Sequence, residues 1–261
     1  MDKLLTVVIP SYNVEKFLNQ TLDSFVCDEA AMKKFEVIVV DDGSKDNTAK
    51  IGKEYADKYP DTFRVISKEN GGHGSTINCG IRNAVGKYFK VVDGDDWVNT
   101  ADFVKLVEDL EKTESEYVFT NYNEYYDDVN RQKTVDFPQF KDGTEYDFAD
   151  VANKVYIPMH ALVIKTSVLK DNNIVIDEKC FYVDVEYVMF PVPFVNKVTF
   201  FDLHVYMYRL ALTTQSVSIL GFQKHINDHL RVTFHMFDFY RDYISSDKAD
   251  SAKADYMRTC I

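Results

Sequence analysis

The sequence predicts an α/β fold, with a mainly parallel sheet flanked by helices. Two observations lead there. Short, nearly continuous apolar runs alternate with amphipathic stretches through residue 121, and most of the runs stop at a cluster of Asp, Asn, Gly or Ser. Strands alternating with helices imply right-handed crossovers and parallel pairing.

The elements follow in order. Leu4–Ile9 reads as a buried strand ending at Pro10. Val14, Phe17, Leu18, Leu22 and Phe25 recur at helical spacing. Phe35–Val40 is a second buried strand, stopped by Asp41-Asp42-Gly43-Ser44. Ser44 or Asp46 is placed to cap a helix running to about Tyr59, before Pro60. Phe63–Ser67 is a third strand. Gly71-Gly72-His73-Gly74 reads as a loop, followed by a helix to about Ala84. Tyr88–Val92 is a fourth strand, Ala101–Lys112 an amphipathic helix and Tyr117–Asn121 a further strand. This order resembles a nucleotide-binding α/β domain, and no internal repeat is visible.

The second half is less regular. Tyr122–Tyr146 reads as loops and a hairpin, Met159–Ile164 as a strand, and Val198–Arg209 as two short strands. Asp184–Val195 starts as a helix that Pro191 and Pro193 should kink or end. Ile226, Leu230, Phe234, Phe237, Tyr240 and Ile244 recur every three or four residues, an amphipathic helix that needs a surface to cover. The chain then stops at Thr259-Cys260-Ile261 without an evident closing element, which reads as a truncated end.

Charge and composition exclude several classes. Of 261 residues, 30 are Lys or Arg and 42 are Asp or Glu, a net charge of −12. That balance argues against a nucleic-acid partner, which needs basic surface to displace counterions, and against a polybasic membrane anchor. No apolar run approaches the roughly 18 residues of a membrane span, and Met1-Asp2-Lys3 leads into a strand without a signal-peptide pattern. The expected location is the cytoplasm, with peripheral association at the inner face of the membrane left open. Cys27, Cys79, Cys180 and Cys260 form no C-x-x-C pair, so reduced thiols filling the core are expected.

Three polar clusters fall at the carboxyl ends of predicted strands: Pro10-Ser11-Tyr12-Asn13, Asp41-Asp42-Gly43-Ser44 and Asp93-Gly94-Asp95-Asp96. Such residues also terminate strands and cap helices, but ligands of open α/β sheets bind at that edge. Three carboxylates within four residues repel, and a hard divalent ion such as Mg²⁺ or Mn²⁺ would relieve them. A bridging ion would also make an acidic site compatible with a diphosphate.

The stretches Val7–Asn13, Val39–Ser44 with Asp46-Asn47-Thr48, Glu69–Gly72 and Asp93–Trp97, in that order, resemble the family 2 glycosyltransferases. The resemblance implies the GT-A fold, a Rossmann-like sheet, here followed by a C-terminal helical segment. It divides the chain into a transferase domain over 1–218, with a nucleotide-binding half (1–100) and an acceptor half (101–218), and a helical segment over 219–261. Roles carry over by position. Pro10 and Tyr12 line the nucleotide pocket, and Asp42, with Asp41, hydrogen-bonds the base. Asp93 faces the ribose or nucleotide, Asp95 holds the metal on the diphosphate, and Asp96 is a second metal or donor contact. Where many relatives carry Ala-Arg-Asn this chain has Thr76-Ile77-Asn78, so a basic residue is replaced by Ile77.

Downstream, Asp177–Glu186 resembles the segment where a Glu-Asp pair precedes a helix, with Val183 in place of the Glu. Asp184 is then either a helix N-cap or the general base that takes the acceptor proton. Family register favours the base, and Glu186 stands second. Tyr206–Arg209 and Gln215–Ser218 also match family features. His73 is left as a substrate contact or a solvated loop residue. His160, His204, His225, His229 and His235 suggest no metal-ligand set, and the many Phe and Tyr are mostly core, with sugar stacking left open within Tyr122–Tyr146.

The resemblance implies an inverting, metal-dependent transfer from a nucleotide-sugar, with UDP the family-weighted nucleotide, to a saccharide or lipid-linked acceptor in cell-surface polysaccharide synthesis. Homo-oligomerisation through the aromatic C-terminal helix is left open. Two alternatives are a non-catalytic nucleotide-sugar-binding scaffold and a sugar nucleotidyltransferase, although the glycine-rich basic loop of the latter is missing after the first strand. A dehydrogenase is excluded because no G-x-G-x-x-G follows a strand.

Overall fold

The computed structural model describes residues 3–210 and 219–261. The Gln215–Ser218 motif lies outside the described residues. Ten strands form one sheet. The first half supplies β1 (Leu5–Ser11), β2 (Phe35–Asp41), β3 (Phe63–Ser67), β4 (Tyr88–Val91) and the short β5 (Trp97–Val98). Its helices are α1 (Leu18–Asp23), α2 (Glu29–Met32), α3 (Thr48–Lys58), α4 (His73–Asn83) and α5 (Thr100–Asp109), which runs into a 3₁₀ turn over Leu110–Lys112. The second half adds β6 (Tyr117–Tyr126), β7 (Arg131–Val135), β8 (Thr144–Asp147), β9 (Leu162–Lys165) and β10 (Lys197–Leu210). Its helices are α6 (Phe148–Ala152), α7 (Thr166–Asp171), α8 (Asp184–Met189), α9 (Ile219–Lys224), α10 (Ile226–Ile244) and α11 (Ser251–Cys260).

The strand order is β3-β2-β1-β4-β9-β6-β10-β5, with β7 on β6 and β8 on β10. Pairing is parallel across β3-β2-β1-β4 and between β6 and β10. β9 runs antiparallel to both its neighbours. Every residue of β1 and β2 is buried, as apolar runs covered on both faces require. Alternation along β1 sends Val8 to one core and Val7 and Ile9 to the other. The first core continues through Ile77, Phe89 and Val91 into the second half and the C-terminal helices, where Val232, Met236, Tyr256 and Met257 join it.

Several elements differ from the sequence expectation. The first helix is confined to Leu18–Asp23; ahead of it the Val14 and Glu15 amides bond to Thr48 Oγ1 and Asp46 Oδ2. The next helix starts at Thr48 with Asn47 in the N-cap position; Ser44 does not cap it, whereas Asp46 Oδ1 accepts from the Thr48 amide at 2.9 Å. His73 and Gly74 open a helix rather than close a loop. Tyr122–Tyr126 prolongs β6 and pairs with β7 in a hairpin. Residues 197–210 form one 14-residue strand: the polar interruption near Asp202 and His204 is a register irregularity against β6, not a turn. The helix expected over Phe222–Ile244 is broken at His225. It buries Val232, Met236 and Tyr243, while Ile226, Leu230, Phe234, Phe237 and Ile244 stay exposed. All four cysteines are unpaired, and among the described residues no helix is long and apolar enough to cross a membrane.

Candidate active site

The three polar clusters meet at one sheet edge. A cavity of about 580 Å³ is bordered by Pro10, Tyr12, His73, Asp93, Asp95 and Asp184. A second cavity of about 450 Å³ adjoins it, lined by Ser11, Asp42, Asn70 and Thr76 and sharing Pro10, Tyr12, His73 and Phe181 with the first.

Two glycines let the two halves of the chain close on this edge. Gly72 is the N-cap of α4 at φ 83°, a left-handed conformation that side chains disfavour. Gly74, the second residue of α4, packs so tightly that a Cβ there would collide with the Asp177 carbonyl oxygen. The Lys179 amide donates to the Gly71 carbonyl at 2.6 Å, tying the same segment down. Asp184 follows a few residues later as the first residue of α8, whose N-cap is Val183. Asp184 is therefore no N-cap, and it borders the cavity.

The carboxylates divide by what they touch. Asp41 accepts from the Ser44 amide at 3.0 Å and is buried. Asp42 accepts from Lys68 Nζ (2.8 Å) and the Gly71 amide (2.9 Å) through Oδ1, and from the Gly72 amide (2.7 Å) through Oδ2. It borders the smaller cavity while clamping the loop before α4. Asp96 is 1% exposed and accepts from Tyr206 Oη (2.6 Å) and the Arg209 amide (2.7 Å). Burial and the neighbouring carboxylates push Asp96 well above the ordinary carboxylate range. Asp93 Oδ1 lies 2.8 Å from His73 Nε2. Burial works to raise the Asp93 pKa, but His73 outweighs it and holds the group low. Asp95 makes no ion pair among the described residues, and burial beside Asp93 pushes it up to about 6. Burial also raises Asp184, opposed by the charge of His73.

Arg209 fixes the acidic loop. Its Nε donates to the Asp95 carbonyl at 2.8 Å, and its guanidinium lies over the Phe17 and Trp97 rings at 4.9 and 4.7 Å. Tyr206 Oη accepts from the Asp93 amide at 3.2 Å while donating to Asp96.

Pro10, Tyr12, Asp93, Asp95 and Asp184 thus share one cavity, Asp42 borders the next, and Asp41 and Asp96 lie behind as supports. Glu186 is fully buried, accepting from the Asp177 amide (2.7 Å) and facing His235 Nδ1 (2.9 Å). It does not border either cavity. The sequence reading missed that His235 joins Asp177 and Glu186, and that His160 joins Asp93 and Asp96, in groups close enough to share an ion. It also missed Lys90, although a lysine inside an apolar strand run was a visible signal. Lys90 is fully buried, with its ammonium 2.8 Å from the His160 carbonyl. Ile77 is packed in the core, and one turn earlier on the same helix His73 faces the cavity.

Residues 6–172 match the model of Glycosyl transferase family 2. EpsJ, an uncharacterized glycosyltransferase of Bacillus subtilis, is 38% identical over 118 residues, 45% of this chain and 33% of its own length. The minor teichoic acid biosynthesis protein GgaB of the same organism is 33% identical over 111 residues, 42% of this chain and 12% of GgaB. The chain spans a third or less of the length of these relatives. Among solved structures, S. aureus TarS 1-349 in complex with UDP-GlcNAc superposes with TM-score 0.74 at 21% identity, over 97% of this chain and 70% of that one. The mannosyltransferase PcManGT of Pyrobaculum calidifontis, in complex with GDP-Man and Mn²⁺, gives 0.66 at 17% identity, over 99% and 69%. These likenesses establish the fold as GT-A.

Proposed function

The chain belongs to the family 2 glycosyltransferases, and from that premise we propose that it transfers a sugar from a nucleotide-sugar, with a UDP-sugar as first candidate, to an acceptor hydroxyl with inversion. One observation carries the reading. The cavity holding Asp93 and Asp95 also holds Asp184, a carboxylate from the other half of the chain. A donor-side acidic pair facing a separate base suits a single displacement. The nucleotide then extends past Pro10 and Tyr12 into the adjoining cavity.

The residues fit a divalent cation. Asp95 is a carboxylate without an ion-pair partner among the described residues, and its ionisation is opposed by burial and by Asp93. Asp95, with Asp93 nearby, would hold Mg²⁺ or Mn²⁺, which when bound supplies positive charge to the departing nucleoside diphosphate. Asp96 supports the loop from beneath through Tyr206 and Arg209. Asp184 accepts the proton of the acceptor hydroxyl as that oxygen attacks the anomeric carbon from the face opposite the diphosphate. Burial raises Asp184, which strengthens it as a proton acceptor, and the nearby His73 charge opposes part of that rise. The acceptor lies against the wall that α8, α9 and α10 contribute, where Tyr182 stacks on Phe222 at 5.0 Å between ring centres. A saccharide or lipid-linked acceptor of cell-surface polysaccharide synthesis is the class this reading favours. Its supports are the family and the printed roles of relatives such as GgaB.

Thermal shifts against a panel of nucleoside diphosphates and nucleotide-sugars, with and without Mn²⁺, test this directly. A Mn²⁺-dependent rise with one nucleotide, followed by transfer or hydrolysis of its sugar, is the expected result. Binding without turnover on any acceptor tried, or against water, would move the chain to a non-catalytic scaffold.

A further inference from the structure

We infer that the divalent ion of this site takes a nitrogen ligand, His160, beside the carboxylate of Asp93, which makes it a site for Mn²⁺ in preference to Mg²⁺. The inference rests on the metal-dependent reading above.

His160 enters from the segment just before β9 and is held on three sides. β4 and β9 pair only over Tyr88–Lys165 and Phe89–Ile164 before they diverge. Lys90 fills the gap, donating to the carbonyls of His160 (2.8 Å) and Leu162 (3.2 Å). The imidazole stacks on Tyr208 at 3.9 Å and 27°, and meets Tyr206 edge-on at 4.9 Å and 75°. Backbone and ring orientation are therefore both fixed before any ligand arrives.

What remains is a pair of ring nitrogens with no hydrogen-bond partner among the described residues, on a ring that borders the catalytic cavity. Here the ligating atoms of His160, Asp93 and Asp96 all lie within 4.8 Å of one another. Two ligands about 2.1 Å from an ion stand roughly 3 Å apart when adjacent and about 4 Å apart when opposed. A contraction of about 1 Å closes the set onto an ion. Asp96 is already held by Tyr206 and Arg209, and Asp93 pairs with His73 through Oδ1, so the second Asp93 oxygen and the His160 ring are the atoms left to meet an ion. Imidazole is a ligand for transition ions, whereas Mg²⁺ takes oxygen.

The test is pulsed EPR of the untagged full chain with Mn²⁺ alone and with Mn²⁺ and UDP, read for nitrogen hyperfine coupling from an imidazole. Coupling is expected in the wild type and should vanish in His160→Phe, which keeps the ring packing on Tyr208. The same variant should bind Mn²⁺ at least tenfold more weakly while its Mg²⁺ affinity changes little. Mn²⁺ bound without nitrogen coupling overturns the inference and leaves the transferase reading intact. Coupling that survives His160→Phe and disappears in His73→Phe assigns the ligand to His73 and also overturns it. Failure of the wild type to bind Mn²⁺ under either condition overturns the metal-dependent reading itself. Because the wild-type spectrum carries the first outcome, a variant that misfolds does not shelter the inference.

Discussion

At the scale of single residues, the carboxylates at this edge differ by partner, not by type. Asp42 and Asp96 spend their oxygens on backbone amides, Lys68 or Tyr206. Asp95 and Asp184 have no such side-chain donors among the described residues, and burial raises the pKa of each. Charges left uncompensated in a fold are kept for a ligand or a reaction more often than for stability. Replacing Asp184 by Asn should therefore cost transfer about 10²- to 10⁴-fold. Stability and nucleotide binding should stay near wild type, because the lost group made no hydrogen bond across elements. Turnover within a few-fold of wild type, in a variant with unchanged melting temperature, would remove Asp184 from the reaction.

At the scale of elements, the meeting of α4 with the segment before α8 decides whether there is a site. α4 brings His73 to the cavity, and the 176–183 segment leads into Asp184. They approach so closely that Gly74 leaves no room for a methyl group against the Asp177 carbonyl. Asn78 reinforces the contact, with its amide donating to the Ile176 carbonyl (2.8 Å) and its Oδ1 accepting from the Ile176 amide (2.9 Å). Gly74→Ala should destabilise the protein by about 1–3 kcal/mol, the usual cost of overpacking. It should also depress transfer more than donor binding, because Asp184 moves relative to Asp93. Denaturant titration together with separate KM and kcat values checks this, and a variant with unchanged kcat would show the contact to be irrelevant to the geometry.

At the scale of the whole molecule, net charge and site charge act in the same direction. The chain carries −12 overall, and part of that charge gathers in an acidic cluster at the proposed donor edge. Asp95 titrates near 6 in the fold against about 3.9 when unfolded. Between those values the native state holds more protons than the unfolded state, so this group's contribution to stability falls as pH rises. A bound cation requires the ionised form and opposes that loss. The rise in melting temperature on adding Mn²⁺ should therefore grow from pH 5 to pH 7 and level off above. A Mn²⁺ effect that is flat over that range would mean that Asp95 is not among the groups the ion meets.

The sequence by itself determined the alternation of buried strands and helices and the family. It also determined the three polar clusters at the sheet edge, because strand burial and strand-end chemistry are local and leave their periodicity in the chain. The ends of elements were less legible: Val14–Phe17 has helical spacing, but Thr48 and Asp46 take its amides. The tertiary structure alone decided which carboxylates are free. Asp41, Asp42, Asp93, Asp95 and Asp96 look alike in a sequence, and the groups that hold Asp42, Asp93 and Asp96 come from Gly71, His73, Tyr206 and Arg209, residues distant in the chain. Lys90 stood out in the sequence and His160 did not, but neither could be placed at the site, for the same reason. Each is an isolated polar residue within an apolar run, and its meaning depends on β4 and β9 parting where they do. The docked face of α10 was likewise undetermined. Its apolar positions cover more than one side, and only packing selects Val232, Met236 and Tyr243 over Leu230, Phe234 and Phe237.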